Sequence, residues 1–138
     1  MTVQLEKVKW LKDYELGDPR LDGDHRRLVG VVNLVVKSLN ESRMTESLAL
    51  MRQFLEMARA HFAAEEALMH ERKFANIERH KQYHQRLLDS AERIEKACEF
   101  VRDEEYVREA FVDFVYCLLD DVIQGDKELL PLLKGEQA

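Results

Sequence analysis

The 138 residues give the chain the usual length of one domain, and a single domain over residues 1–138 is expected. With 46% hydrophobic and 35% charged residues, five Gly and only two Pro, the composition favours helices over a turn-rich β fold. The net charge of −6 provides no basic surface for nucleic acid. No apolar run approaches the roughly 20 residues of a membrane span, and the N-terminus does not resemble a signal peptide. We therefore expect a cytoplasmic protein that binds neither nucleic acid nor membrane.

Residues 1–21 show no helical repeat and are predicted to form an irregular N-terminal arm. Two aromatic residues, Trp10 and Tyr14, would anchor the arm to the rest of the chain. Asp18 followed by Pro19 indicates a turn close to its end.

Four helices should follow the arm, because apolar residues recur at alternating three- and four-residue steps in four successive segments. The predicted helices cover residues 22–40, 45–71, 76–101 and 104–124. Asp22 is of a residue type that often caps a helix, and it would begin the first one. Residues 125–138 are expected to form a tail with a short C-terminal helix. The predicted fold is an all-α four-helix bundle.

Each predicted helix carries at least one residue of a metal-binding type on the stripe that should face the apolar core. These candidate metal ligands are His25, His61, Glu65, His80, His84, Asp121 and Asp126. Burying an unpaired imidazole or carboxylate costs several kcal/mol, so seven such groups need a compensating partner. A bound pair of metal ions would compensate for their burial.

The spacing of two ligand pairs supports a metal site. His61 and Glu65 are four residues apart, as are His80 and His84, so each pair lies on one face of its helix. An isolated pair of either kind more often lies on the protein surface. The two pairs together with His25, Asp121 and Asp126 favour a metal site instead. His70 lies among charged residues near a helix end and is expected to face solvent. Imidazole and carboxylate ligands without thiolate suit iron, manganese or zinc.

Several longer motifs run through these candidates. They are Trp10 with Tyr14 and Gly17, Leu21-Asp22-x-x-His25, His61-Phe62-x-x-Glu65-Glu66-x-Leu68-Met69, His80-x-x-x-His84, and the closing stretch up to Asp126-Lys127. Through these motifs the chain resembles the hemerythrins, specifically the single-domain bacterial hemerythrins, over nearly its whole length. The resemblance implies an up-down-up-down order of the four helices.

The resemblance also implies a non-heme di-iron centre that binds dioxygen for storage, delivery or sensing. Its two iron ions (Fe²⁺/Fe³⁺) would be bridged by an oxo or hydroxo group and by two carboxylates. Carried over by motif, the ligands form three pairs: His25 and His61 on the iron that takes dioxygen, Glu65 and Asp126 as bridges, and His80 and His84 on the second iron.

The chain departs from the family at one ligand. The family has a histidine five residues before the bridging aspartate, and the residue five before Asp126 is Asp121. No histidine follows residue 84, so none can replace the missing one. The adjacent Asp120 offers another register, but Asp121 keeps both the apolar stripe and the five-residue step. Compared with histidine, Asp121 adds a negative charge and has a shorter side chain, which would reach iron directly or through water. Both differences predict faster autoxidation of the iron.

Four apolar residues one turn from the ligands are candidates for lining an oxygen pocket: Leu28, Phe62, Leu118 and Val122. Packing in the core would explain them equally well. Two other functions stay open, namely an enzyme that reduces peroxide, oxygen or nitric oxide, and a degenerate bundle that binds one ion, or zinc or manganese. The expected partner is dioxygen or another small diatomic ligand, and nothing in the sequence identifies a protein partner.

Overall fold

The described part of the chain is all-α. The computed structural model describes residues 4–133, apart from the side chains of Asp121 and Leu133. Its helices are α1 (Pro19–Asn40), α2 (Met44–Glu71), α3 (Ile77–Lys96), α4 (Glu104–Tyr116) and the short α5 (Leu130–Leu133). The π-helical segments Ala97–Val101 and Cys117–Gln124 extend α3 and α4, and 3₁₀ turns form at Lys12–Tyr14 and Gly125–Leu129. The predicted fold class is confirmed, while the predicted arm and tail extend to residues 1–3 and 134–138, which lie outside the described residues.

Short connections give the four long helices their order. Each helix packs against the next, and α4 returns to contact α1. The three connections each contain a residue with positive φ, namely Ser42 (57°), Lys73 (54°) and Arg102 (56°). Such a left-handed residue ends a helix and redirects the chain. Successive helices therefore run up, down, up and down, and none of the described helices is long and apolar enough to span a membrane.

The first helix begins three residues earlier than predicted. Asp18 caps it by accepting hydrogen bonds from the backbone N–H groups of Arg20 and Leu21, and Pro19 occupies the first helical position. A proline fits there because the first N–H groups of a helix have no intrahelical acceptor. Asp18 and Pro19 thus form a helix start, and the prediction of Asp22 as the cap was wrong.

Asp22 instead holds the N-terminal arm. Its buried carboxylate accepts hydrogen bonds from the backbone N–H groups of Leu16 at 2.8 Å and Gly17 at 3.1 Å. Farther along α1, the side-chain amides of Asn33 and Asn40 each both accept from and donate to one residue of the arm's backbone. The arm is therefore fixed along α1 by side chains that satisfy its backbone polar groups.

The last long helix changes its winding before it reaches the metal-ligand candidates. The sequence predicts an α-helix to Gln124, but from Cys117 onward the hydrogen bonds join residues five apart, as in a π-helix. Leu118, Val122 and Ile123 of this segment are fully buried. The wider winding and the 3₁₀ turn after it bring Asp126 into the core, where it is 1% exposed.

Candidate metal centre

Six of the seven predicted metal ligands come together at one end of the bundle, where α1 and α3 begin and α2 ends. Each is at most 7% exposed, and the six are His25, His61, Glu65, His80, His84 and Asp126. They come from α1, α2, α3 and the turn after α4. The seventh, Asp121, belongs to the π-helical segment, and its side chain lies outside the described part of the structure, so its role as a ligand stays a prediction.

The tightest part of this cluster contains two histidines and both carboxylates. One ligand atom from each of His25, His61, Glu65 and Asp126 lies within 4.8 Å of all the others. Nε2 of His25 is 2.8 Å from Oδ2 of Asp126, and Nε2 of His61 is in close contact with Oε1 of Glu65. Four nitrogen and oxygen donors at these separations can surround one metal ion.

The two carboxylates also reach the histidines of α3. Glu65 contacts His61 through Oε1, and its Oε2 lies 3.5 Å from Nε2 of His84. Asp126 faces His25 and His61 through Oδ2, and its Oδ1 lies 3.8 Å from Nε2 of His80. Each carboxylate therefore has one oxygen on the side of His25 and His61 and the other on the side of the α3 histidines.

Many polar atoms of the cluster have no hydrogen-bond partner among the described residues. These buried atoms are Nδ1 of His25, Nε2 of His61, both carboxylate oxygens of Glu65, both ring nitrogens of His80, and Nε2 of His84. Natural proteins seldom leave so many buried polar atoms unsatisfied, because each costs free energy. Nε2 of His61, His80 and His84 and both oxygens of Glu65 are atoms of the kind that coordinate metal ions, so the residues present fit a metal centre.

Comparison with known protein families identifies the family of the chain. Residues 16–133 match the family described as Hemerythrin, the hemerythrin HHE cation-binding domain. The chain belongs to the hemerythrin family. The resemblance to the hemerythrins is thus confirmed at the level of the family, while the bacterial type stays a prediction, and the matched range contains all six clustered residues. A search of the curated proteins found no match. Family and cluster together establish a metal-binding domain.

The charges of the hemerythrin site shift the pKa values of its ligands. Burial lowers the pKa of His61, but interactions with Asp126 and Glu65 outweigh burial and raise this pKa to about 10. Burial raises the pKa of Glu65, yet His61 and His84 lower it well below its usual range. The pKa of His84 is raised, because Glu65 and Glu66 outweigh its burial. A proton and a metal ion therefore compete for the same imidazole nitrogens.

Two carboxylates outside the cluster form hydrogen bonds with its histidines. Nδ1 of His61 lies 2.7 Å from Oδ2 of Asp24, and Nδ1 of His84 lies 2.8 Å from Oε2 of Glu66. A histidine that donates Nδ1–H to a carboxylate keeps Nε2 free for a metal. Neither acid was predicted from the sequence as a supporting residue. Their signal was their position, since each is adjacent in sequence to a predicted ligand.

The predicted apolar lining of the hemerythrin site is buried, and one of its residues touches a ligand. Leu28, Phe62, Leu118 and Val122 are at most 2% exposed and belong to the main core. The ring of Phe62 stacks on the imidazole of His84, with centroids 3.9 Å apart and planes at 6°. Phe62 thus fixes the plane of a ligand, while core packing accounts for the burial of the other three.

His70 and Asp120, which were not predicted as ligands, are exposed. His70 lies near the end of α2 on its solvent side, as expected from its charged neighbours. Asp120, the alternative to Asp121, is exposed on the π-helical segment. Neither residue is part of the cluster.

Proposed function

We propose that this protein is a non-heme di-iron protein that binds dioxygen for storage, delivery or sensing. The observation that carries the proposal is the position of Glu65 and Asp126 between two groups of histidines. A carboxylate bound to a single ion has no need of imidazoles near both of its oxygens. Two ions, one on each side, would use all of these donors.

In this assignment the chain divides its ligands between two iron ions. His25 and His61 would hold one ion, and His80 and His84 the other, with Glu65 and Asp126 bridging them. Iron suits a set of imidazole and carboxylate donors. Bound iron would supply the electrons that dioxygen accepts when it binds.

The remaining residues would orient the ligands and keep water away. By accepting Nδ1–H, Asp24 and Glu66 would hold the rings of His61 and His84 with Nε2 directed at iron. Phe62 stacks on His84 and adds apolar surface. A dry surrounding limits access of the protons and water that favour oxidation of the iron.

We propose that Asp121 is the seventh ligand, bound directly or through water to the iron held by His80 and His84. The proposal rests on its place five residues before Asp126 and on the family resemblance. A third carboxylate brings a negative charge where imidazole is neutral. Since negative charge favours Fe³⁺, this site would autoxidise faster than one with five histidines.

Metal analysis tests the number and identity of the ions. Protein produced without added zinc should contain two irons per chain, and air should produce an absorbance band that disappears under vacuum. His84→Ala should lose at least one iron. His70→Ala, which removes an exposed histidine, should keep both. One iron or none in the unaltered protein would overturn the proposal.

A second candidate is an enzyme that reduces peroxide, oxygen or nitric oxide. It is favoured by the number of acids, because Asp121 would add a third carboxylate to Glu65 and Asp126. Carboxylate-rich di-iron sites are suited to oxidation chemistry. Many turnovers of peroxide with an added reductant would identify the enzyme, whereas stoichiometric and reversible uptake of dioxygen supports the first candidate.

A further inference from the structure

A cavity between α1 and α2 opens onto the metal cluster. Its volume is about 370 Å³. The residues that line it are Arg20, Leu21 and Asp24 of α1, and His61, Ala64, Glu65, Ala67, Leu68 and Glu71 of α2. None of them belongs to α3 or to the segment after α4. The cavity therefore approaches the cluster from the side of His61, away from the α3 histidines.

Exposure along the cavity falls from the outside inward. Arg20, Ala67 and Glu71 are exposed, whereas His61 is 7% and Glu65 is 4% exposed. Two candidate metal ligands thus lie at the buried end of a cavity whose other end meets solvent. A ligand of a few atoms could pass between the two ends without unfolding either helix.

Asp24 forms a wall of the cavity without filling it. One of its carboxylate oxygens bonds to Nδ1 of His61 at 2.7 Å, and the other bonds to the guanidinium of Arg27. With both oxygens engaged, the side chain is held in one position. The width of the cavity on the side of Asp24 is therefore fixed.

Ala64 is a lining residue of α2 at which the width of the cavity can be changed. It follows His61 by three residues and so lies on the same face of α2. Its side chain is a single methyl group and is exposed, so a larger side chain can be placed there without disturbing the core. Leu68, one turn farther along and half-buried, lines the same cavity.

We propose that this cavity is the entrance through which small ligands of two or three atoms reach the part of the site formed by His25 and His61. The inference rests on the proposed function, because it requires an iron ion at these histidines. It assigns to Ala64 a role in ligand entry that binding of the metal itself does not require.

Azide, a linear anion of three atoms, is the probe for this entrance. Its association with and dissociation from the iron-loaded, oxidised protein would be followed by stopped-flow absorbance. An obstacle in the path raises the barrier equally in both directions, so Ala64→Leu should slow both rates by the same factor, about tenfold, at an unchanged Kd. The matched control is Ala63→Leu, which makes the same change at an exposed position outside the lining.

A second variant tests the opposite direction. Leu68→Ala should widen the cavity and speed both rates, and it decides the question by itself if Ala64→Leu does not fold. Rates equal to those of the unaltered protein in these variants, with two irons bound, would overturn the entrance and leave the proposed function intact. Absence of iron from the unaltered protein would overturn both. A change in only one of the two rates, and hence in Kd, would also count against the entrance.

Discussion

The imidazole of His61 lies between carboxylates on its two sides. Nδ1 faces Asp24 at 2.7 Å, and Nε2 contacts Glu65 within the cluster. The ring therefore has a fixed direction before any metal binds, and a metal ion would displace the proton from Nε2 while Nδ1–H stays with Asp24. His84 has the same arrangement, with Glu66 on its outer side and Glu65 on its inner side. Two histidines of the site are thus oriented by acids that do not themselves belong to the cluster.

Removing one of these outer acids should weaken metal binding. Asp24→Ala leaves Nδ1 of His61 without its acceptor, so we expect metal affinity to fall by about 10- to 100-fold. Competition with a chromophoric chelator measures the change. Asp113→Ala, which removes an exposed carboxylate on α4, is the control and should leave the affinity unchanged. An Asp24→Ala protein that binds metal as tightly as the control would contradict the supporting role.

Asp121 allows a second test on a single residue. Asp121→His restores the ligand type that the family resemblance places five residues before Asp126. Loss of one negative charge should favour Fe²⁺, so the dioxygen complex should live longer, by about tenfold for each 1.4 kcal/mol gained. Stopped-flow decay of the dioxygen complex measures its lifetime. A lifetime that is unchanged or shorter in the variant would show that Asp121 does not set the rate of autoxidation.

The elements of the fold show which features the sequence could predict. The ligands on α1, α2 and α3 could be predicted because histidine or glutamate replaces an apolar residue at a regular helical step. The start of α1 was wrong, since Asp18 and Pro19 are equally suited to a turn and to a helix start. The change to a π-helix at Cys117 was missed because periodicity of apolar residues does not determine the winding of a buried segment.

Supporting residues were harder to predict than ligands. Asp24 and Glu66 are partly exposed, and in the sequence they resemble any charged residue on the polar face of a helix. Only the packing of α1 against α2, and of α2 against α3, brings each acid to its histidine. The sequence could therefore indicate the metal cluster, but not the contacts between helices that orient it.

The attachment of the N-terminal arm to α1 gives a prediction at the scale of one element. Asp22→Ala removes the acceptor of two backbone N–H groups, those of Leu16 and Gly17. Leu16 is buried, so leaving its N–H group without an acceptor costs about 1–3 kcal/mol, whereas the exposed Gly17 can bond to water. We therefore expect the free energy of unfolding to fall by about 1–3 kcal/mol. Urea unfolding followed by the fluorescence of Trp10, the single tryptophan of the chain, measures it.

Asp13→Ala is the control for this experiment, because Asp13 is also an acid of the arm but is exposed. It should change the free energy of unfolding by less than about 0.5 kcal/mol. Equal stability of the Asp22→Ala and Asp13→Ala proteins would show that the arm is held by other contacts, such as those of Asn33 and Asn40.

At the scale of the whole molecule, the bundle combines a long apolar core with a polar cluster at one end. The core of buried apolar residues runs from Leu28 through Phe54 and Phe114 to Ile123 and joins all four long helices. Its apolar side chains pack against one another and need no metal ion. A bound metal ion would stabilise the cluster, because seven of its buried polar atoms have no hydrogen-bond partner among the described residues. Removal of metal should therefore weaken the molecule without unfolding it.

Chelation of the metal should lower the melting temperature while the far-ultraviolet circular dichroism at 25 °C stays helical. A ligand present at about 1,000 times its Kd contributes about 4 kcal/mol of stability, and its loss from a domain of this size should lower Tm by roughly 10–15 °C. Iron added back should restore Tm. His84→Ala, which removes a ligand, should respond less to chelation than the unaltered protein. Equal Tm values with and without metal would mean that the cluster is stable by itself and that its unpaired atoms do not depend on a bound ion.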